Sequence, residues 1–254
     1  MPWGVNHPDT FFTYLSFGNI WRDNNGFYGT KLYDQNATFK NITEISSAVV
    51  LLAQGYNARN TKDKLYVAVG TNNSGNTFFS IATAHGRAWA EMVKNVNQSL
   101  IQQGISQSRV TVVAGNDIEP NWNTFLDTKQ WFDGYNSVTL PPPIYIIGAA
   151  DGCPIYWPDP SNNMSSFIPG VCNNGWSQQD VNYISNHYSS SYSIPMNYNP
   201  NGYYALQWWR IGLWSYFTYS TSNLLTFSGA MTQEAACEQI EQETGVIKWW
   251  VNIE

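Results

Sequence analysis

The sequence predicts an α/β fold, a TIM-like (β/α) barrel with eight or fewer complete βα units, and three observations point to it. Strand-like and helix-like segments alternate about six times along the chain, which calls for parallel strands joined by crossover helices. The segment RVTVVAG is a continuous apolar run rather than an alternating one, as expected of a strand covered on both faces. Polar residues gather where the strands end, in GNIWRDN, GTNNSG, GNDIEPNW, AADGCP and NYNPNG. Barrels carry their sites at that end. An open doubly wound sheet is the competing architecture. No break in composition marks a boundary, so residues 1–254 read as one domain.

Each element has its local reason. Phe11–Gly18 reads as the first strand. Ile42–Tyr56 reads as a helix, with Asn41 as N-cap and Gly55 near its end. Lys64–Gly70 is the second strand. Ala84–Gln103 is a long helix whose Trp89, Met92, Val93, Val96, Leu100 and Ile101 follow the 3.6-residue period. Arg109–Gly115 is the third strand, Thr124–Tyr135 a helix, and Ile144–Ala150 the fourth strand, entered from three prolines. The loop Asp151–Gly175 leads to a helix, Ser177–Tyr188, where Ser177 and Asp180 make a variant capping box. Ser193–Tyr198 is a short strand, Tyr203–Tyr219 an aromatic helix and Leu224–Ala230 a sixth strand. Thr232 opens a last helix, and the tail VIKWWVNIE has strand character. In the aromatic helix, Leu206, Trp209, Leu213 and Phe217 form one stripe, expected to face the core, with Trp208 and Trp214 left outside.

Composition narrows the function classes. Charged residues are 12% and aromatics 16%, and 12 Lys+Arg against 18 Asp+Glu give a net charge of −6. That balance argues against nucleic acid as a partner. No apolar run is long enough for a membrane span. Few charges, many Asn and many aromatics suit a secreted protein that meets polar, ring-shaped ligands; an extracellular setting and a monomer are expected. The opening MPWGVNHPDT does not read as a secretory signal peptide, so the chain is either cytoplasmic or begins at a mature end behind an added Met. Cys153 and Cys172 bracket a Pro-, Gly- and Asn-rich loop and are expected to form a disulfide, with two free thiols as the alternative. Cys237 reads as a buried free thiol. No Cys/His spacing suggests a metal site, and no phosphate-binding loop or GxSxG is present, so no cofactor is expected.

The sharpest chemical feature is Asp117-Ile118-Glu119. Residues i and i+2 of a strand point to one side, so the two carboxyls share a space and one pKa should rise. A carboxyl so prepared serves as a general acid while its neighbour stays ionised. The competing reading makes Asp117 a helix cap and Glu119 a solvated side chain. Asp151, directly after the fourth strand, is a third candidate, as nucleophile, base or orienter of water. The alternative is a plain turn, since Asp151-Gly152 is a common turn pair. Trp122 and Trp157 offer faces to a sugar ring. Asn72, Asn73 and Asn197 stand at other strand ends with amides that both donate and accept, and Trp21 and Tyr198 complete the candidate rim. His85 reads as a capping or packing residue.

VTVVAGNDIE resembles the strand-end Asp-x-Glu motif of family 25 glycoside hydrolases, the lysozyme-like muramidases. The wider run from about Gly55 to Glu238 is similar to related glycoside-hydrolase-like domains of secreted bacterial proteins. The resemblance implies a barrel acting on a polysaccharide such as peptidoglycan or a related cell-wall glycan. In it, Glu119 takes the place of the general acid and Asp117 that of its supporting carboxylate. The muramidases' Gly-x-Asp-x-Ser on the first strand is replaced here by TYLSFGNIWRDN, and QWW and KWW stand where an Asp-x-Trp type signature is expected. These departures support the rival expectation, a non-catalytic carbohydrate- or cell-wall-binding module on the same barrel. A third expectation is a secreted interaction or toxin-like protein using its aromatic surface.

Overall fold

The computed structural model describes residues 9–59, 62–75, 78–155, 169–198, 201–219 and 224–232, and its fold is mixed α/β. The elements run β1 (Thr10–Arg22), β2 (Tyr28–Lys31), β3 (Phe39–Asn41), α1 (Ile42–Ala58), β4 (Lys64–Asn72), α2 (Phe78–Gln102) and β5 (Val110–Asp117). They continue with α3 (Phe125–Asn136), β6 (Ile144–Gly148), α4 (Gln178–Asn186), β7 (Ser191–Asn197), α5 (Tyr203–Tyr219) and the two-residue β8 (Met231–Thr232). The sheet has the order β3-β2-β1-β4-β5-β6-β7, with β8 beside β7 at the far edge. From β1 through β4 to β8 all neighbours are parallel and follow chain order, so the order reversal of a doubly wound sheet is not found. The closed barrel is not found either: among the described residues the sheet is open, with β3 and β8 as its edges. The antiparallel β2–β3 ribbon pairs with Asn19–Arg22, the far end of β1, while Thr10–Ser16 of β1 pair with β4 on their other side.

Strand alternation sorts the side chains into two cores. Leu65, Val67 and Val69 of β4, Val110, Val112 and Ala114 of β5, and Ile144 and Ile146 of β6 pack under helices α1 to α5. The intervening residues face the other way, and Ile147, Ile194 and Met196 pack there with Phe12, Tyr14, Tyr145, Tyr198 and Met231. That second face is concave. Phe12 on β1 and Tyr145 on β6 touch edge to face with centroids 4.9 Å apart, although β4 and β5 lie between their strands. Three strand spacings in a flat sheet would span about 14 Å.

Two glycines make room for this curl. Gly70 and Gly115 are register partners on β4 and β5. A Cβ on Gly70 would lie 2.2 Å from Cε2 of Tyr14, and one on Gly115 2.4 Å from the same atom. The Tyr14 ring therefore crosses a gap in the side-chain layer, and its hydroxyl donates to the Thr71 carbonyl at 3.0 Å.

The helix starts follow their capping residues. Asn41 and Glu44 form a reciprocal box on α1, Ser177 and Asp180 form one on α4, and Thr124 caps α3. Each such cap is worth about 1 kcal/mol. Three fully buried indoles each find an acceptor: Trp89 at Val69 O, Trp131 at His85 Nδ1 and Trp176 at Asn123 O, at 3.1, 3.0 and 2.7 Å. The other nitrogen of His85 lies 2.8 Å from Gly29 O, so it carries the proton and ties the β2–β3 ribbon to α2. Burial lowers the His85 pKa to about 4 and keeps the ring neutral, in the packing role expected of it.

Several elements depart from expectation. Helix α2 begins at Phe78 rather than Ala84. Strand β1 continues past a bulge between Ser16 and Asn19 into an arm that pairs with β2, where a loop was expected. Strands β2 and β3 carry too few apolar residues to announce themselves. The sixth strand is displaced, reduced to an isolated Ser193–Phe227 bridge followed by β8. The expected last helix, the tail strand and Cys237 lie outside the described residues. Helix α5 turns the opposite face inward: Trp208 is 4% exposed and Trp214 3%, against 53% for Trp209 and 43% for Leu206. The reason is polar. Gln207 and Arg210 share the buried face with Trp208, Ile211 and Trp214, and Gln207 donates to the Cys153 carbonyl at 2.8 Å.

If Tyr14 needs the glycine gap, Gly115→Ala will destabilise the fold by ~1–3 kcal/mol, the usual cost of overpacking. Denaturant unfolding of the variant tests this, and an unchanged midpoint would show that the ring has somewhere else to go.

Candidate carboxyl site

Strand β5 delivers the first two groups of the site. Val113, Gly115 and Asp117 alternate onto the concave face, and Glu119 keeps that phase just beyond the strand end. Asp151 arrives from the neighbouring strand, three residues after β6 closes at Gly148, where Asp117 and Ile147 are register partners. The three carboxyls meet: Asp117 feels the charges of Glu119 and Asp151, and the Glu119 and Asp151 side chains are hydrogen-bonded to each other.

Their environment disfavours charge. Burial, reinforced by the Glu119 and Asp151 charges, pushes the Asp117 pKa up to about 8. Burial, the Asp151 charge and the shared hydrogen bond push Glu119 up to about 7. Asp151 is also raised by burial, but the Asn121 backbone N–H and the Glu119 carboxyl both favour its ionised form. In the shared bond Glu119 is therefore the donor and Asp151 the carboxylate acceptor. The ionised partner expected at Asp117 is instead Asp151, because Asp117 is the more deeply enclosed. The helix-cap reading of Asp117 is also corrected, since Thr124 caps α3.

Two tyrosines close around the group. The Tyr14 hydroxyl is raised by burial and then by Asp117, and that of Tyr198 by burial and then by Asp117 and Glu119. Tyr14 lies on the gap of Gly70 and Gly115, at the foot of Asp117. Nothing in the sequence pattern separated Tyr14 from the other strand aromatics; the Gly70 and Gly115 positions were the available signal.

The other expected residues divide. Asn73 is completely buried and its amide is fully committed: Nδ2 donates to Glu119 O and Thr128 Oγ1, both at 3.1 Å, and Oδ1 accepts from Glu119 N at 3.0 Å. It stands behind Glu119 and clamps its backbone, where a ligand contact was expected. Asn72 pairs with Asp117 in register, yet its Nδ2 donates to Asn19 Oδ1 and to the Tyr33 hydroxyl, and its Oδ1 accepts from Ser74 N. Trp122 sits half-buried in the turn after Glu119, its backbone N–H donating to Glu119 O at 3.1 Å. Asn197 ends β7 with its Oδ1 enclosed and unpartnered, one residue before Tyr198. Trp21 lies on the β1 arm, with the Lys31 ammonium 3.5 Å from its ring centre. Trp157 lies outside the described residues.

The loop behind Asp151 is secured at several points. Cys153 and Cys172 form the expected disulfide. Asn173 donates its N–H to Asp151 O at 3.0 Å and its side-chain amide to Asn121 Oδ1 at 2.7 Å. Gly152 has φ +69°, and a Cβ there would lie 1.9 Å from Asn173 Oδ1, so only glycine fits. Asp151-Gly152 is thus a tight turn and Asp151 is also a member of the cluster. Gln178 bridges Gly170 N and Pro154 O. Among the described residues no group of three or more His, Cys, Asp or Glu is arranged to hold a metal ion. Comparison with protein-family models, curated proteins and solved structures finds no match to the chain.

Two outcomes follow from this geometry. Asp117 has a folded-state pKa above its unfolded value, so its ionisation costs stability as pH rises from about 4 to about 8. Asp117→Asn, which imitates the protonated acid, should raise the melting temperature, and more at pH 8 than at pH 5, at about 2–4 °C per kcal/mol relieved. An equal shift at both pH values would contradict the buried-charge account. Asn73→Leu strands the Glu119 N–H without an acceptor and should cost about 1–3 kcal/mol in chemical denaturation.

Proposed function

We propose that the chain is a secreted glycoside hydrolase-like protein acting on a polysaccharide, a cell-wall glycan such as peptidoglycan or a relative of it, by carboxylate general acid/base catalysis. The observation that carries the reading is the meeting of the Glu119 and Asp151 carboxyls beside Asp117, in surroundings whose burial raises all three pKa values. A group with pKa about 7 is half-protonated at neutral pH, which suits a general acid. Glu119 delivers its proton to the glycosidic oxygen as the C–O bond breaks. Asp151, ionised, attacks the sugar or takes a proton from the water that does. Asp117 keeps its proton and donates a hydrogen bond into the site. Tyr198 borders the group, Trp122 follows in the turn after Glu119 to offer a ring face to the sugar, and no cofactor enters the chemistry. The resemblance to family 25 glycoside hydrolases points the same way, with Asp151 added as the ionised partner. The sequential strand order supports reading the curled sheet as a (β/α) barrel short of closure. The disulfide is compatible with an extracellular setting.

A second reading has its own observation. Glu119 and Asp151 touch, whereas hydrolases hold their carboxyl pair about 5–9.5 Å apart. A pair closed in this way also suits a module that binds a glycan without cutting it, its carboxyls serving as hydrogen-bonding groups.

Reducing-end release from a panel of polysaccharides including peptidoglycan separates the two. Wild type should release ends, and Glu119→Gln should lower the rate by roughly 10²–10⁴-fold while glycan retention persists. Glu119 must be protonated and Asp151 ionised to act, so the rate should fall as pH rises through about 7 and fall again in acid, where Asp151, its pKa raised by burial, takes up a proton. Retention without release by either folded protein would establish the binding module.

A further inference from the structure

A second concavity lies at the opposite end of the curled face. Lys64 and Tyr66 of β4, Tyr145 of β6, Tyr192 of β7, and Gln107 and Ser108 before β5 line a cleft of about 510 Å³. Its size falls within the roughly 300–1,000 Å³ of small-ligand pockets. It is not the carboxyl site seen from below. Its wall on β5 is Thr111 and Val113, the nearer of them four residues before Asp117, or about 13 Å along the strand.

The lining has three kinds of chemistry. Tyr145 is held between Phe12, at 4.9 Å, and Tyr192, at 5.5 Å in a stacked arrangement. Tyr192 is 42% exposed, so a fixed aromatic face is presented to solvent. The three phenols, with Gln107 and Ser108 on the rim, supply groups that both donate and accept hydrogen bonds. Burial and the neighbouring phenols Tyr66 and Tyr192 raise the Tyr145 pKa, which keeps it a donor. The third component is a cation. Lys64 Nζ donates to the Tyr66 hydroxyl at 2.7 Å and lies 4.3 Å from that ring's centre. None of the ion pairs among the described residues involves Lys64, in a chain of net charge −6. An ammonium has three protons to donate, and this one spends a single proton on a side chain.

A stacking face, a hydroxyl-matching rim and an uncompensated ammonium suit a flat, hydroxyl-rich ring bearing one anionic group. We propose that this cleft is a second ligand site, separate from the carboxyl cluster, that takes an acidic sugar ring, its face against Tyr192 and its carboxylate on Lys64. The inference does not need the carboxyl cluster to be catalytic.

Ligand-observed NMR titration with methyl glucuronide and its neutral twin, methyl glucoside, tests it. Wild type should bind the uronide about five-fold more tightly than the glucoside, the scale of one partly exposed ion pair. Lys64→Met should remove that preference, and Tyr192→Ala should weaken both sugars. Glu119→Gln should leave uronide binding unchanged. Thermal melts of each variant check folding, and Lys64→Met keeps the aliphatic stem that packs in the cleft. Absence of uronide binding by folded wild type would overturn the proposal. So would equal affinity for the two sugars, a preference that survives in Lys64→Met, or binding that depends on Glu119, which would put the ligand at the carboxyl end.

Discussion

The packing of one ring against two residues without side chains is the constraint on which the rest of this molecule depends. Tyr14 lies across Gly70 and Gly115, and only their missing Cβ atoms let it do so. The ring fills the concave face where the strands curl, and its hydroxyl is anchored on the Thr71 carbonyl. Above it, Asp117 is enclosed rather than projected into water. A flatter sheet, or a side chain at either glycine, would give Asp117 solvent and return it to the ordinary behaviour of a surface carboxylate.

Enclosing three carboxyls costs folding free energy, and the surroundings hold them there. The Asn73 amide grips the Glu119 backbone from both sides. Asn173 grips Asp151, and the disulfide, Gln178 and Gln207 hold the loop on which Asp151 sits. None of these groups carries charge, so they fix position without relieving the repulsion that raises the carboxyl pKa values. Such sites hold strain that the scaffold offsets elsewhere. The cleft at the other end is of a different kind, a row of phenols and one ammonium, with little stored repulsion.

Much of the architecture was legible in the chain, for definite reasons. The apolar runs of β4, β5 and β6 belong to strands covered on both faces, and the boxes at Asn41/Glu44 and Ser177/Asp180 mark helix starts by local chemistry. The meeting of Asp117 with Glu119 follows from strand period, and that of Asp151 from its place after the next strand. The roles of Asn72 and Asn73 were not legible, since an amide at a strand end looks alike whether it faces a ligand or a backbone. The face of α5 was misread because the helix is apolar almost all round, and Gln207 turned inward to meet the Cys153 carbonyl, with Arg210 on the same buried face.

By itself, the sequence determined what is local: strand period, helix capping, the glycines at Gly70 and Gly115, and a carboxyl pair two residues apart. The tertiary structure alone decided which neighbouring carboxyl meets Glu119, how deeply Asp117 is buried, and that the described sheet curls without closing. Those depend on distances between residues far apart in the chain. Charge repulsion, desolvation and edge pairing respond to such distances and leave no trace in sequence spacing.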